Sequence, residues 1–227
     1  MTGAGTNTYV YGADPCVVID PGVDDPDHIG KVQRAADDRG GVSAVLISHE
    51  HRDHVGGADR FGVPVIKPSD GERHGGLLAI ATPGHAADHV CLVVESEGDG
   101  GACVCFCGDL VLGEGSSIVP PDGGSLIAYL DSLHRVRDLA PGLMCPGHGP
   151  WITDPRSKID EYIEHRMMRE RRLLAEIENG ERSRDLLLDR VWNDTPVELR
   201  NYAALVMQAH LEKLQLEGRL PEGFEFD

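Results

Sequence analysis

Nowhere in these 227 residues do eighteen apolar residues follow one another, so no segment has the character of a membrane-spanning helix. The stretch MTGAGTNTYVYG lacks a basic segment followed by an apolar one and does not read as a secretory leader. Repeats and low-complexity tracts are also missing. None of the six cysteines forms a C-x-x-C pair, and Cys16, Cys91, Cys103 and Cys105 sit in apolar, strand-like runs. They read as reduced, mostly structural thiols of a cytoplasmic protein. Basic charge is short as well: 38 acids face 21 Lys and Arg, a net of −17. That surface repels polyanions and weighs against a general nucleic-acid binder. The excess is uneven, at −13 over residues 1–154 and −4 over 155–227.

Apolar residues make up 41%, enough for a full core. The first two thirds alternate short apolar runs with turns. Strands are expected at 8–11, 16–19, 44–48, 64–66, 77–81, 89–95, 102–106 and 143–145, each bounded by Gly, Pro or Asp. Helical spacing appears behind Asp25-Pro26, with Ile29, Val32 and Ala36 on one face, and again over 124–139. Strands mixed with helices predict sheets covered by helices. The last third is helical. Asp154-Pro155 opens a helix with Ile159, Tyr162, Leu173 and Ile177 on its apolar face, and Ser183 caps a short one. Thr195-Pro196-Val197-Glu198 reads as a capping box before a helix burying Leu199, Tyr202, Leu205, Val206 and Leu211. Three helices and a closing turn suggest a winged-helix-like appendage. The expected division is therefore 1–154 and 155–227.

Four clusters stand at the ends of expected strands. They are Ser48-His49-Glu50-His51-Arg52-Asp53-His54, Thr82-Pro83-Gly84-His85, Cys107-Gly108-Asp109 and Pro146-Gly147-His148-Gly149. Imidazole and carboxylate suit Zn²⁺ and similar first-row dications. A single loop histidine is usually a surface residue, but three histidines and an aspartate within six residues are hard to explain by packing. Asp88 and His89 lie close enough to His85 in sequence to steady its ring, and a buried strand residue is the other reading of His89. Cys103, Cys105 and Cys107 share one strand face and read as small core side chains rather than soft-metal ligands. Arg166, Arg169 and Arg172 read as a solvated face paired with Glu170 and Glu176, with binding of a substrate phosphate or carboxylate as the other reading. His28, His74, His134, His165 and His210 read as surface or capping residues, with the note that His165 could overhang the active site.

The pattern His49-x-His51-x-Asp53-His54, then His85, Asp109 and His148, resembles the metallo-β-lactamase superfamily. The resemblance implies an α+β fold, an αββα sandwich with metals at the sheet edge. It also implies His49, His51 and His85 around one metal, Asp53, His54 and His148 around a second, and Asp109 between them. Asp53 is then assigned a catalytic role besides its ligand role. His51 replaces the carboxylate of the family's flavodiiron branch, which favours hydrolysis over oxygen reduction. Asp109 is absent from the antibiotic-hydrolysing members, which argues against lactamase activity.

Longer strings narrow the likeness. Asn7-Thr8-Tyr9, Asp88-His89, Gly113-Glu114-Gly115 and His148-Gly149-Pro150 are similar to the beta-lactamase-like protein 2 group, as is the tail from Tyr162 to Gly218. Little precedes Gly5-Thr6-Asn7, so a first strand of the family is expected to be missing or shortened. Two Zn²⁺ ions, with iron or manganese as alternatives, would share a hydroxide and bring its pKa to about 7, so no catalytic serine or cysteine is needed. The expected function is hydrolysis of a small ester or thioester. The resemblance also admits a single-strand endoribonuclease, which the acidic surface disfavours. A non-catalytic nucleic-acid-binding module built on the carboxy-terminal helices is the reading from another class.

Overall fold

Period-two alternation sorts the apolar strand residues onto two faces, and that sorting builds four layers. The computed structural model describes residues 5–95 and 104–226. One sheet has the order β1 (Tyr9–Gly12), β2 (Cys16–Ile19), β3 (Val42–Leu46), β4 (Val65–Ile66). The other runs β5 (Arg73–His74), β6 (Leu77–Ala81), β7 (Val90–Val94), β8 (Val104–Gly108), β9 (Leu143–Pro146). Val17, Ile19 and Leu46 of the first sheet pack against Leu77, Ala79, Leu92 and Phe106 of the second. Val18 and Val45 point the other way, onto Ile29 and Val32 of α1 (Pro26–Asp37). Cys91, Val93, Cys105 and Met144 point outward onto Tyr129, Leu133 and Val136 of α3 (Leu126–Asp138). Between them in the chain lies the single turn α2 (Arg52–Val55). The expected α+β layering is thus present.

The helix ends follow their caps. Asp25, Ser125, Asp154 and Ser183 each accept the backbone N–H three residues on, and α1 and α4 (Pro155–Glu178) carry proline in the first turn. The expectation at Thr195 needs correcting. Val197–Leu199 is a separate tight turn closed by Leu199 N–H on the Pro196 carbonyl at 2.9 Å. The last helix, α6 (Arg200–Leu216), starts later and has no side-chain cap. Its phase is rotated too. Ala203, Met207, Leu211 and Leu214 face α5 (Arg184–Val191) and α4, whereas Tyr202 and Leu205 are exposed.

Helix α4 bridges two cores: Ile159 and Tyr162 belong to the layer over β7–β9, and Leu173 and Ile177 to the cluster made with α5 and α6. Among the described residues, 155–226 hold helices and turns and no strand, so they include no hairpin wing. The arginine face is not solvated. Arg166, Arg169 and Glu170 are buried, because α5 and α6 fold over that side of α4, while Arg172 stays exposed. His210 is buried on α6 beside Glu170 and is no surface residue. Ala102 and Cys103 of the expected strand at 102–106 lie outside the described residues. No described helix is long and apolar enough to cross a membrane.

Candidate metal centre

Strand direction brings the four clusters together. Strand β6 runs antiparallel to β7 and β7 antiparallel to β8, so β6 and β8 point the same way, and β9 is parallel to β8. Their carboxyl ends therefore share one edge, and His85, Asp109 and His148 follow those ends directly. The segment after β3 supplies His49 and His51, and α2 supplies Asp53 and His54.

Glycine permits the approach. A Cβ on Gly147 would stand 2.6 Å from Asp109 Oδ1 and 2.6 Å from His54 Cε1. Gly108, at φ 45°, has His89 Nε2 and Ser48 Oγ within 2.8 Å of where its Cβ would be. The amino-terminal segment clamps the last loop. Asn7 Nδ2 donates to the carbonyls of Pro146 (3.0 Å) and Gly149 (2.7 Å), and Tyr9 donates its hydroxyl proton to Pro146.

All seven predicted ligand residues converge. His49 Nε2 lies 2.9 Å from His51 Nδ1, which lies 3.0 Å from His85 Nε2. Asp53 Oδ2 is 3.3 Å from His148 Nε2 and 3.9 Å from His54 Nε2. Asp109 stands between the two groups. Its Oδ1 is 3.4 Å from both His54 and His148, and its Oδ2 is 3.6 Å from His85. Donors about 2.0–2.1 Å from one tetrahedral cation lie about 3.3 Å apart, which this spacing approximates. The trios His49/His51/His85 and Asp53/His54/His148 each keep their donor atoms within 4.8 Å of one another, as does His49/His54/Asp109. His54 Nε2 and Asp109 Oδ1 are buried with no hydrogen-bond partner, the state expected of atoms shaped to bind a cation. The residues therefore fit one or two dications. No cysteine belongs to these groups.

The far ring nitrogens are tied down. His54 Nδ1 meets Asp20 at 2.9 Å, His85 Nδ1 the Ile118 carbonyl at 2.7 Å, and His148 Nδ1 the Gly5 carbonyl at 3.0 Å. These contacts fix each tautomer so that Nε2 offers a lone pair inward. Asp88 and His89 serve other groups than His85. Asp88 accepts the Glu50 N–H and pairs with Lys67. His89 is buried between Thr82 Oγ1 and the Asp109 N–H, so it fixes the backbone that aims Asp109. Sequence reasoning missed Asp20 and Ile118. Asp20 follows a fully buried strand, and that burial was its one available signal.

Charge is arranged for cations. Burial opposes protonation of His54, but Asp109 and Asp20 outweigh it and raise its pKa to about 10. For His148 burial is again overcome, by Asp109 and Asp53, to about 10. Burial would lift Asp109, yet His148 and His54 hold its carboxyl far below the carboxylate range. Asp53 is lowered chiefly by His148. His49 and His85 are pushed down by burial first, His49 next by His89 and His54, so both are neutral donors. Burial, then His85, takes His89 down to about 3. Cations binding here would displace the protons of His54 and His148.

Sheets packed face to face, helices outside and a His/Asp donor set at converging strand ends define the class: an αββα protein with a candidate metal centre at one sheet edge. The sequence profile of the Metallo-beta-lactamase superfamily matches residues 1–66 and 59–148, and the chain belongs to that family. It is 31% identical to the Beta-lactamase-like protein 2 homolog of Drosophila melanogaster over 97% of this chain and 85% of that protein. It is 35% identical to the Atrochrysone carboxyl ACP thioesterase of Aspergillus chevalieri over 75% of this chain and 60% of that protein. A metallo-beta-lactamase family protein of Thermus thermophilus has a similar structure, with TM-score 0.73 and 24% identity, covering 94% of this chain and 89% of that one.

Proposed function

We propose that this protein hydrolyses a small ester or thioester with two dications, His49, His51 and His85 holding one, Asp53, His54 and His148 the other, and Asp109 both. The observation that carries this is Asp109, whose two oxygens face separate histidine groups. When bound, such ions supply Lewis acidity and bring the pKa of water to about 7. Zinc is the default, and iron or manganese suits the same donors. The chain's own part is positioning. Asp20 and the Ile118 and Gly5 carbonyls orient three imidazoles, and His89 fixes the Asp109 backbone. Asp53, partly open to the cleft and held ionised by His148, is placed to take the proton of the attacking water. The water oxygen bonds the acyl carbon, the carbon–sulfur bond breaks, and the thiol leaves with the proton. A thioester is favoured by the thioesterase relative, and the −17 charge disfavours single-stranded RNA. Residues 1–154 form the catalytic unit and 155–227 a helical unit beside it, in a cytoplasmic protein.

The test is metal analysis of the purified protein, then turnover of acyl thioesters, esters and labelled single-stranded RNA with each metal restored. Metal-dependent thioester or ester turnover that drops at least about 100-fold in Asp53→Ala is expected. No such turnover, or equal turnover by the variant, overturns the proposal.

A further inference from the structure

A cavity of about 320 Å³ opens beside the candidate metal centre. Ser116, Ser117 and Ile118 line both this cavity and the cleft that holds His51, Asp53, His85, Asp109 and His148. The two spaces therefore adjoin one loop, and the carbonyl of Ile118 is the group that orients His85. The opposite wall comes from the carboxy-terminal helices. Trp192 closes α5, Tyr202 and Val206 stand one turn apart on α6, and Leu199 ends the tight turn before it. The rotated phase of α6 turns Tyr202 outward, while Val206 is half-buried at the rim of the helical core. Tyr202 is 38% exposed.

The two arginines of the cavity are engaged through their terminal nitrogens. Arg166 donates to Ser116 Oγ at 3.1 Å and to the Ser117 carbonyl, pinning the shared loop. Arg169 donates to the Val191 carbonyl and to Asp194 at 2.5 Å, with its guanidinium 5.6 Å from the Trp192 ring centre. His165 is held neutral by burial first, and then by Arg169 and Arg166. Arg166 Nε and Arg169 Nε have no partner but are buried, so an anionic group would find no exposed guanidinium here and would meet Asp194. An apolar chain would find an indole, a phenol ring and two aliphatic side chains leading away from the metal cleft. The volume is at the small end of ligand pockets, about 300–1,000 Å³.

We infer that this groove seats the acyl chain of the substrate, with the reacting carbonyl at the metal cleft and the loop 115–118 between them. The inference rests on the hydrolase reading above. It makes α5 and α6 the elements that set chain-length preference, and Leu199, Tyr202 and Val206 the residues that read it.

The test compares acetyl, hexanoyl and decanoyl thioesters on the zinc-loaded protein. Each methylene seated in the groove is expected to raise kcat/KM about fourfold until the groove is full. Val206→Phe, which fills the groove, and Tyr202→Ala, which removes an exposed wall, should both lower the decanoyl-to-acetyl ratio at least about tenfold. A second readout needs no turnover. In a Trp151→Phe background the fluorescence of Trp192 should respond saturably to a decanoyl thioether that cannot be hydrolysed, and not to its acetyl counterpart. Turnover with a flat chain-length profile and a silent Trp192 overturns the groove and leaves the hydrolase standing. No turnover of any thioester overturns the groove even if Trp192 responds, and no turnover of esters either removes the hydrolase reading with it.

Discussion

Replacing Asp20 by Asn keeps the shape of a buried group and removes one charge. Asp20 is 2% exposed and fully used: Oδ1 accepts the Ser48 N–H at 2.8 Å, and Oδ2 accepts Ser48 Oγ at 2.6 Å and His54 Nδ1 at 2.9 Å. An amide can reproduce the first contact only by keeping its oxygen at Oδ1. Its NH₂ then faces His54 Nδ1, which must accept rather than donate. The proton of a neutral His54 moves to Nε2, the buried atom that points at Asp109 and has no other partner. A protonated Nε2 cannot bind a cation. Loss of such a carboxylate partner costs about 10–100-fold in metal affinity, or about 1.4–2.7 kcal/mol. The loss should fall on the group containing His54, so competition with a chelator should show one weakened ion and one nearly unchanged. In metal-free protein above the His54 pKa of about 10, where the ring is neutral, histidine NMR should show its proton moved from Nδ1 to Nε2. Two ions held as tightly as in the parent, in a folded variant, would refute the reasoning.

Gly84→Ala would press its Cβ into the backbone of Tyr129 at φ 139°, so urea unfolding should show a loss of at least about 2 kcal/mol, and a loss under about 0.5 would contradict the tight seating of the His85 loop on α3. Glu170 supplies a pH dependence. Burial would raise its pKa, but His210, Lys213 and Arg219 lower it to about 2. With a depressed folded-state value, its contribution of about 3 kcal/mol is complete above the unfolded pKa near 4.3 and is lost as pH falls through about 2. Metal-free Glu170→Gln, measured at neutral pH and near pH 2, should lose less relative to the metal-free parent at the acid end. Loading the protein with zinc to about a hundred times Kd should add about 2.7 kcal/mol and raise Tm by roughly 5–10 °C, and a chelator should reverse it. An unchanged Tm would remove the dication site.

Much was legible because local rules decide it. Caps at Asp25, Asp154 and Ser183 mark helix starts whatever surrounds them, since an exposed N–H needs an acceptor. The unbroken apolar run VCLVV predicts a strand buried on both faces. Where packing on distant residues decides, the sequence was a poor guide. The apolar residues of α6 allow two phases, and only the positions of α4 and α5 choose the one that buries Met207 and exposes Tyr202. Arg166, Arg169 and Glu170 look like a solvated ladder until two helices cover them.

The residue types and order by themselves determined which side chains could bind dications, because imidazole and carboxylate chemistry does not depend on the fold. Tertiary structure decided what those groups do together. Strand directions set His85, Asp109 and His148 at one edge, Asp20 came from 34 residues away to turn His54, and Ile118 from 33 residues away to turn His85. Hydrogen bonds act over about 3 Å, so partners remote in sequence become visible only when the chain is folded.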